Sequence, residues 1–208
     1  MALPLLEFAP MSDQTGAQSQ QSLSNISCQI FTFKEGLLSA IAHDLRLVVE
    51  RCSIDLSVEG SGGAQGGGAD GTAGGVVTAI AATFDPRSLR VVCAQRDGQD
   101  QLSALSVDQR AEIDRHIQHD ILHTDRYPEV RFVSTKVTPR AGAYEVLGEL
   151  SLHGQRRAIV ASVAKQAERW LCEVRLNQPD FGIKPFSAAL GTLRVRAALL
   201  VTVAVPVR

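Results

Sequence analysis

Apolar residues fall at every second position along most of this 208-residue chain. Tyr144, Val146, Gly148, Leu150 and Leu152 share a face against Glu145 and Glu149. Trp170, Cys172, Val174 and Leu176 oppose Glu173 and Arg175. Val130, Phe132 and Ser134 form a further face, with Arg131 opposite, and Val76, Thr78, Ile80, Ala82 and Phe84 another. The longest runs through Val195, Ala197, Leu199, Val201, Val203 and Val205, against Arg194 and Arg196. A period of two is the signature of strands with one face buried and one wet. Between Leu45 and Val58 the apolar positions change parity. Leu45, Leu47 and Val49 are odd; Cys52, Ile54, Leu56 and Val58 are even. The switch predicts a β-bulge and a bend near Glu50 or Arg51. About eight strands in succession, without intervening helices, predict an all-β fold, an antiparallel barrel or sandwich.

Two segments depart from this period. Leu37 to Ala42, after Gly36, predicts a short helix. Val107 to His123 predicts a longer one, because Ile113, Ile117 and Ile121 recur every four residues and Asp108 and Glu112 favour its N-terminal end. Tyr127 and Pro128 end it, and one such helix would plug or cover one end of a barrel. Residues 1–25, rich in Ser, Gln and Ala, read as a flexible arm. From Ser61 to Gly75 eight of fifteen residues are Gly, so 60–75 reads as a disordered loop. Residues 26–60 are too few to close a core alone. The loop therefore belongs inside a single domain over 26–208, as the tip of a long hairpin.

Hydrophobic residues make up 45% of the chain, enough for a sizeable core. The formal net charge of −1 and an aromatic content of 5% exclude the cationic footprint and stacking platforms of a general nucleic-acid binder. Residues 1–150 carry a net −7 and 151–208 a net +6, a division read as attraction within one fold. Cys28, Cys52, Cys93 and Cys172 are scattered and form no C-x-x-C pair. They read as small core residues of a protein in a reducing compartment. Met1 to Phe8 has no basic n-region, and Ala197 to Val207 is too short to span a bilayer as a helix. The expectation is a soluble cytoplasmic protein.

Five short motifs stand in order. They are F-x-F-K-E-G-L-L-S-A-I-A-H-D-L at Phe31 to Leu45, R-Y-P-E-V-R-F-x-S at Arg126 to Ser134 and G-E-L-S-L-H-G at Gly148 to Gly154. D-F-G-I-K-P at Asp180 to Pro185 and L-G-x-L-R-V at Leu190 to Val195 follow. With these motifs the chain resembles the YceI-like family from about Ile30 to Val205. The resemblance implies an extended lipocalin-like, eight-stranded antiparallel β-barrel. It further implies a long apolar pocket for a polyisoprenoid or similar amphiphile. Many members carry secretion signals, and none is read here.

The resemblance directs attention to the strand faces. Val130, Phe132, Tyr144, Val146, Gly148, Leu150, Trp170, Val174, Leu199 and Val201 would line a lipid cavity. The same side chains would equally build a packed core. Gly148 in mid-strand would leave room, so Gly148→Phe should fill the cavity. His43, Asp44 and Lys184 would sit near a barrel end and meet a head group, or else serve as turn structure. His116, His119 and His123 fall within about 60° of arc on one helix face and read as a partly solvated edge rather than a zinc site. His153 reads as a solvated turn. No metal and no cofactor is expected. The leading reading is a non-enzymatic protein that binds or carries a polyisoprenoid, quinone or fatty-acid-like lipid. One alternative is an enzyme on an isoprenoid or fatty-acyl substrate with His43 and Asp44 as acid–base groups. Another is a structural barrel filled solid. Among further partners, a homodimer stays open, while a nucleic acid and a transmembrane segment are not expected.

Overall fold

A computed structural model describes residues 18–35, 43–60, 75–188 and 192–207. Its elements in chain order are β1 (Gln18–Ser22), β2 (Ser27–Thr32), β3 (Lys34–Glu35), β4 (Asp44–Val49), β5 (Cys52–Gly60), β6 (Gly75–Phe84), β7 (Leu89–Arg96) and β8 (Gln99–Gln101). Helix α1 (Val107–His116) follows, then β9 (Val130–Arg140), β10 (Ala143–Leu152), β11 (Gln155–Gln166), β12 (Arg169–Asn177), β13 (Ser187–Ala188), β14 (Leu193–Val195) and β15 (Ala198–Pro206). The helix expected at Leu37–Ala42 and residues 61–74 of the Gly-rich stretch lie outside the described residues. Gly60 and Gly75 themselves are paired strand residues.

Every ladder of the main sheet is antiparallel, and two of its strands are bent. Cys52 of β5 faces Phe84 of β6, while Val49 of β4 faces Leu89 of β7. Thus β4–β5 and β6–β7 are two long strands that turn a corner together. Counted so, the pairing runs β2, β4–β5, β6–β7, β9, β10, β11, β12, β15 and back to β2. This is an eight-stranded antiparallel barrel, and closure removes the unpaired edges of an open sheet. Gln18–Ser22, expected in the flexible arm, instead pairs with Asp55–Glu59 as β1.

The parity switch marks the corner and not a bulge. Glu50 and Arg51 leave the ladder, and their backbone N–H groups donate to Ser88 O (3.2 Å) and Ser88 Oγ (2.9 Å). The Asp85 N–H donates to Arg51 O at 2.9 Å, and the Arg51 side chain reaches the Asp85 carboxylate at 2.8 Å. Buried Ser88 thus supplies the partners that two departing backbone groups require. True bulges lie elsewhere, where the register skips Thr78, Val92 and Thr135. The skip at Thr78 corrects the face expected for β6: Val77 is buried and Val76 is 54% exposed. The face expected from Val195 to Val205 is likewise divided. Val195 ends β14, which pairs with β3 and β13 in a small separate sheet, and Arg196 donates its N–H to Phe33 O at 2.7 Å before β15 begins.

The predicted helix forms with a capping box: Ser106 Oγ accepts from the Gln109 N–H and Gln109 Oε1 from the Ser106 N–H. It is α-helical only to His116 and continues as a π-turn over Ile117–Ile121. Beyond the corner, β9 no longer accompanies β7, and α1 takes the place of a strand. Asp114 Oδ1 accepts the Val91 N–H at 2.6 Å, Arg110 donates to Val92 O at 3.1 Å and Gln118 donates to Leu89 O at 3.0 Å. Three side chains therefore satisfy an edge that would otherwise stay open. Ile113 and Ile117 pack on Leu47, Val49, Leu89 and Val91; Ile121 and Leu122 pack on Leu150, Phe181 and Ile183. The helix is a piece of barrel wall at one end.

Candidate functional site: an apolar cavity along the barrel

The inward faces do not meet. They enclose a cavity of about 1220 Å³ that runs the length of the barrel. Drug-sized pockets occupy ~300–1,000 Å³. Strands of nine to twelve residues bound it. At ~3.3 Å per residue and ~40° of tilt they give roughly 23–30 Å of axial length.

Of the residues expected to line a cavity, Val130, Phe132, Tyr144, Val146, Leu150, Trp170, Val174, Leu199 and Val201 do so. Further lining comes from strands not singled out for the site, including Leu47, Ile54, Ala82 and Ala161, and from Ile113, Ile117 and Ile121 of the helical segment. The Leu45-to-Val58 alternation and the isoleucine spacing were the available signals. Tyr144 and Trp170 meet at 5.4 Å between ring centres near the end where β9 turns into β10.

Gly148 is corrected. It is not a gap, because a Cβ there would lie 2.3 Å from Phe132 Cζ and 2.6 Å from Val133 O. The Phe132 ring already occupies the space, covering the glycine of the neighbouring strand. The expectation that Gly148→Phe would fill the cavity therefore fails, since the ring would collide with wall.

His43 lines the cavity at the α1 end. Asp44 does not, because its carboxylate accepts the Lys34 N–H at 2.7 Å and ties β3 to β4, which is the turn-structure role. Of the two, only His43 is part of the cavity wall. Lys184 is exposed and outside the lining, while its neighbour Ile183 is the buried residue of that turn.

His116 lies 2.7 Å from Asp120 and edge-on to Phe186, and both His116 and Asp120 line the α1 end of the cavity. His119 faces Asp125 at 3.8 Å, and the His123 Nδ1–H donates to His119 O at 2.7 Å. Among the described residues, no three His, Cys, Asp or Glu side chains are placed to hold a metal ion. His153 is not a solvated turn residue. Its ring packs 4.4 Å from that of Tyr127, Nδ1 donates to Phe181 O at 3.2 Å, and Nε2 is buried with no hydrogen-bond partner among the described residues.

The thiols report how dry the interior is. Cys28 and Cys172 flank Val203 on three adjacent strands and line the cavity. Burial pushes the Cys28 thiol up to about 12, with smaller contributions from Cys52 and Cys172. Burial pushes Cys172 up to about 11, with a smaller contribution from Glu173. A thiolate in an apolar chamber lacks the solvation it has in water. All four cysteines are free thiols. No helix among the described residues is long and apolar enough to cross a membrane.

Comparison with known proteins agrees with this architecture. BcnA of Burkholderia cenocepacia superposes with a TM-score of 0.55 at 13% identity, over 87% of this chain and 95% of its own. A polyisoprenoid-binding domain from Saccharophagus degradans, implicated in plant cell wall breakdown, superposes with a TM-score of 0.52 at 11% identity, over 90% and 95%. Such identities establish a shared fold. A UPF0312 protein of Photorhabdus laumondii is 34% identical over 59 residues, 28% of this chain and 31% of that relative, so the match spans about a third of its length. The YceI-like domain model matches residues 53–207, from the second half of the bent strand to the end of the barrel. With its eight antiparallel strands closed around an apolar chamber, this chain belongs to the YceI-like family.

Proposed function

We propose that the protein binds and carries a long apolar amphiphile, a polyisoprenoid, quinone or similar lipid, inside the barrel. The observation that carries the reading is the 1220 Å³ cavity, whose wall is mostly Val, Leu, Ile and aromatic side chains with its charges gathered at one end. An unfilled chamber of this size forfeits packing that a solid core would gain, which a ligand would restore. Each buried methylene is worth ~0.8 kcal/mol, so an isoprenoid of a dozen carbons gains ample gross affinity before ordering costs. The Saccharophagus degradans domain of the same fold is a polyisoprenoid-binding domain, which supports the choice of ligand class. The proposed action is binding and not catalysis, a reading supported by Asp44, which lies outside the cavity wall and holds the Lys34 N–H. The test is mass spectrometry of organic extracts from purified protein. One long-chain lipid per barrel is expected. A protein that carries none, and takes up neither farnesol nor a short-chain quinone at micromolar concentration, would overturn the reading.

A further inference from the structure

The cavity is chemically polarised. Its Lys, Arg, Asp and Glu lining residues, Lys34, Glu112, Arg115, Asp120 and Arg194, all belong to the α1 end, beside β3 and β14, as do the imidazoles of His43 and His116. At the opposite end the lining is Tyr144, Trp170 and Pro206, with Gln21 the polar residue there. The charges at the α1 end are unequally engaged. Asp120 is held by His116 at 2.7 Å. Arg194 reaches Glu35 only at 3.8 Å, with both side chains about half exposed, a weak contact that an incoming anion can displace. The Arg115 guanidinium makes no hydrogen bond or ion pair with any other described residue. Two carboxylates, Glu112 and Asp120, line this end against three cations, Lys34, Arg115 and Arg194.

We infer that the α1 end is a head-group site for an anionic amphiphile, a phosphate or a carboxylate, with Arg115 and Arg194 as the residues that set this preference. The inference rests on the proposed lipid-binding reading and adds a direction to it: tail towards Tyr144 and Trp170, head at Arg115 and Arg194. Arginine suits the task because its planar fork meets two oxygens of either anion, and it keeps its charge at any physiological pH. Both residues lie at the rim, so salt weakens the preference. Each exposed contact is worth at most ~1 kcal/mol, or about fivefold in affinity.

The experiment compares farnesyl phosphate, palmitate and uncharged farnesol by titration of the full chain at low and high salt. The variants are Arg115→Met, Arg194→Met and the double variant, with Lys184→Met as a control outside the cavity. Wild type is expected to prefer the anions by roughly twofold to 25-fold at low salt. The double variant should lose that preference and keep its farnesol affinity, and the Lys184 variant should match wild type. If farnesyl phosphate alone is preferred, the site is a phosphate site; if palmitate is preferred equally, it reads negative charge alone. Equal affinity for all three in wild type, or equal losses for anions and farnesol in the double variant, would overturn the head-group assignment while leaving lipid binding intact. Failure of all three to bind wild type would instead sink the underlying lipid-binding reading. Circular dichroism of the double variant keeps misfolding separate from lost affinity.

Discussion

Gly148→Ala adds one methyl group and should destabilise the barrel. The new Cβ would lie 2.3 and 2.4 Å from two carbons of the Phe132 ring and 2.6 Å from the Val133 carbonyl oxygen. Comfortable separations are ~3.5–4.0 Å, so ring and strand would both have to shift by about 1 Å. Overpacking of that kind costs ~1–3 kcal/mol, and removing a glycine from a strand recovers ~0.5–1 kcal/mol. Contacts as short as these place the cost in the upper half of its range, so the expected net loss is roughly 1–2.5 kcal/mol, a fall in Tm of about 2–10 °C for a chain of this size. Urea and thermal denaturation of Gly148→Ala, Phe132→Leu and the double variant form a cycle that isolates the contact. Leucine lacks the two ring carbons that collide, so the double variant should be more stable than the sum of the single losses implies. Rescue should be partial, since the Val133 oxygen stays. A Gly148→Ala protein as stable as wild type, or strictly additive single effects, would refute the account of this wall.

Alkaline pH should weaken the fold through Cys28. Its folded pKa of about 12 exceeds the ordinary value of 9.0, so its contribution is whole below pH 9 and is lost as pH rises towards 12. The slope of stability against pH between 9 and 11 should be shallower in Cys28→Ala, and an identical slope would contradict the dry interior. Asp114 is also raised, chiefly by burial, with the Val91 N–H opposing. Its folded pKa lies above the unfolded one, so the ionised carboxylate carries a penalty once pH exceeds both. At pH 7 Asp114→Asn should be at least as stable as wild type, while Asp114→Ala should lose ~1–3 kcal/mol by stranding the Val91 N–H. A large loss in the Asn variant would disprove the penalty, and chemical denaturation reads both.

The strand faces of β10 and β12 are legible directly, because uninterrupted alternation leaves one arrangement that turns Val146 and Leu150 or Val174 and Leu176 inward. The corner at Glu50 and Arg51 is legible only as a fault in the alternation. Its identity depends on Ser88 and Asp85, which come from the partner strand. The bulge at Thr78 leaves no local trace, since Val76 and Val77 are the same residue type and either could face inward. Gly148 misleads for a related reason: a glycine announces a missing side chain but not the Phe132 ring that fills the space. His43 and Lys184 both lie in motif turns, yet one faces the cavity and the other faces solvent. Turn geometry, and not residue type, decides which. Arg115 and Arg194 escape a sequence reading because only the closed barrel brings α1 beside β14 at one mouth.

Binding inside the barrel can be read from Trp170, the one tryptophan of the chain and part of the cavity wall. Ala161, buried at mid-height opposite Val146, also lines the cavity, so Ala161→Phe would push a ring across it. Eight strands leave an interior only just wide enough for a chain, and one ring at that level should obstruct it. Titration with geranylgeraniol, followed by Trp170 fluorescence, is expected to give a saturable one-to-one change in wild type. In Ala161→Phe the affinity should fall at least ~10-fold with Tm unchanged or raised, because the ring enters space and displaces no packed group. A non-saturating response in wild type, or equal affinity in a folded Ala161→Phe protein, would contradict a ligand held within the barrel.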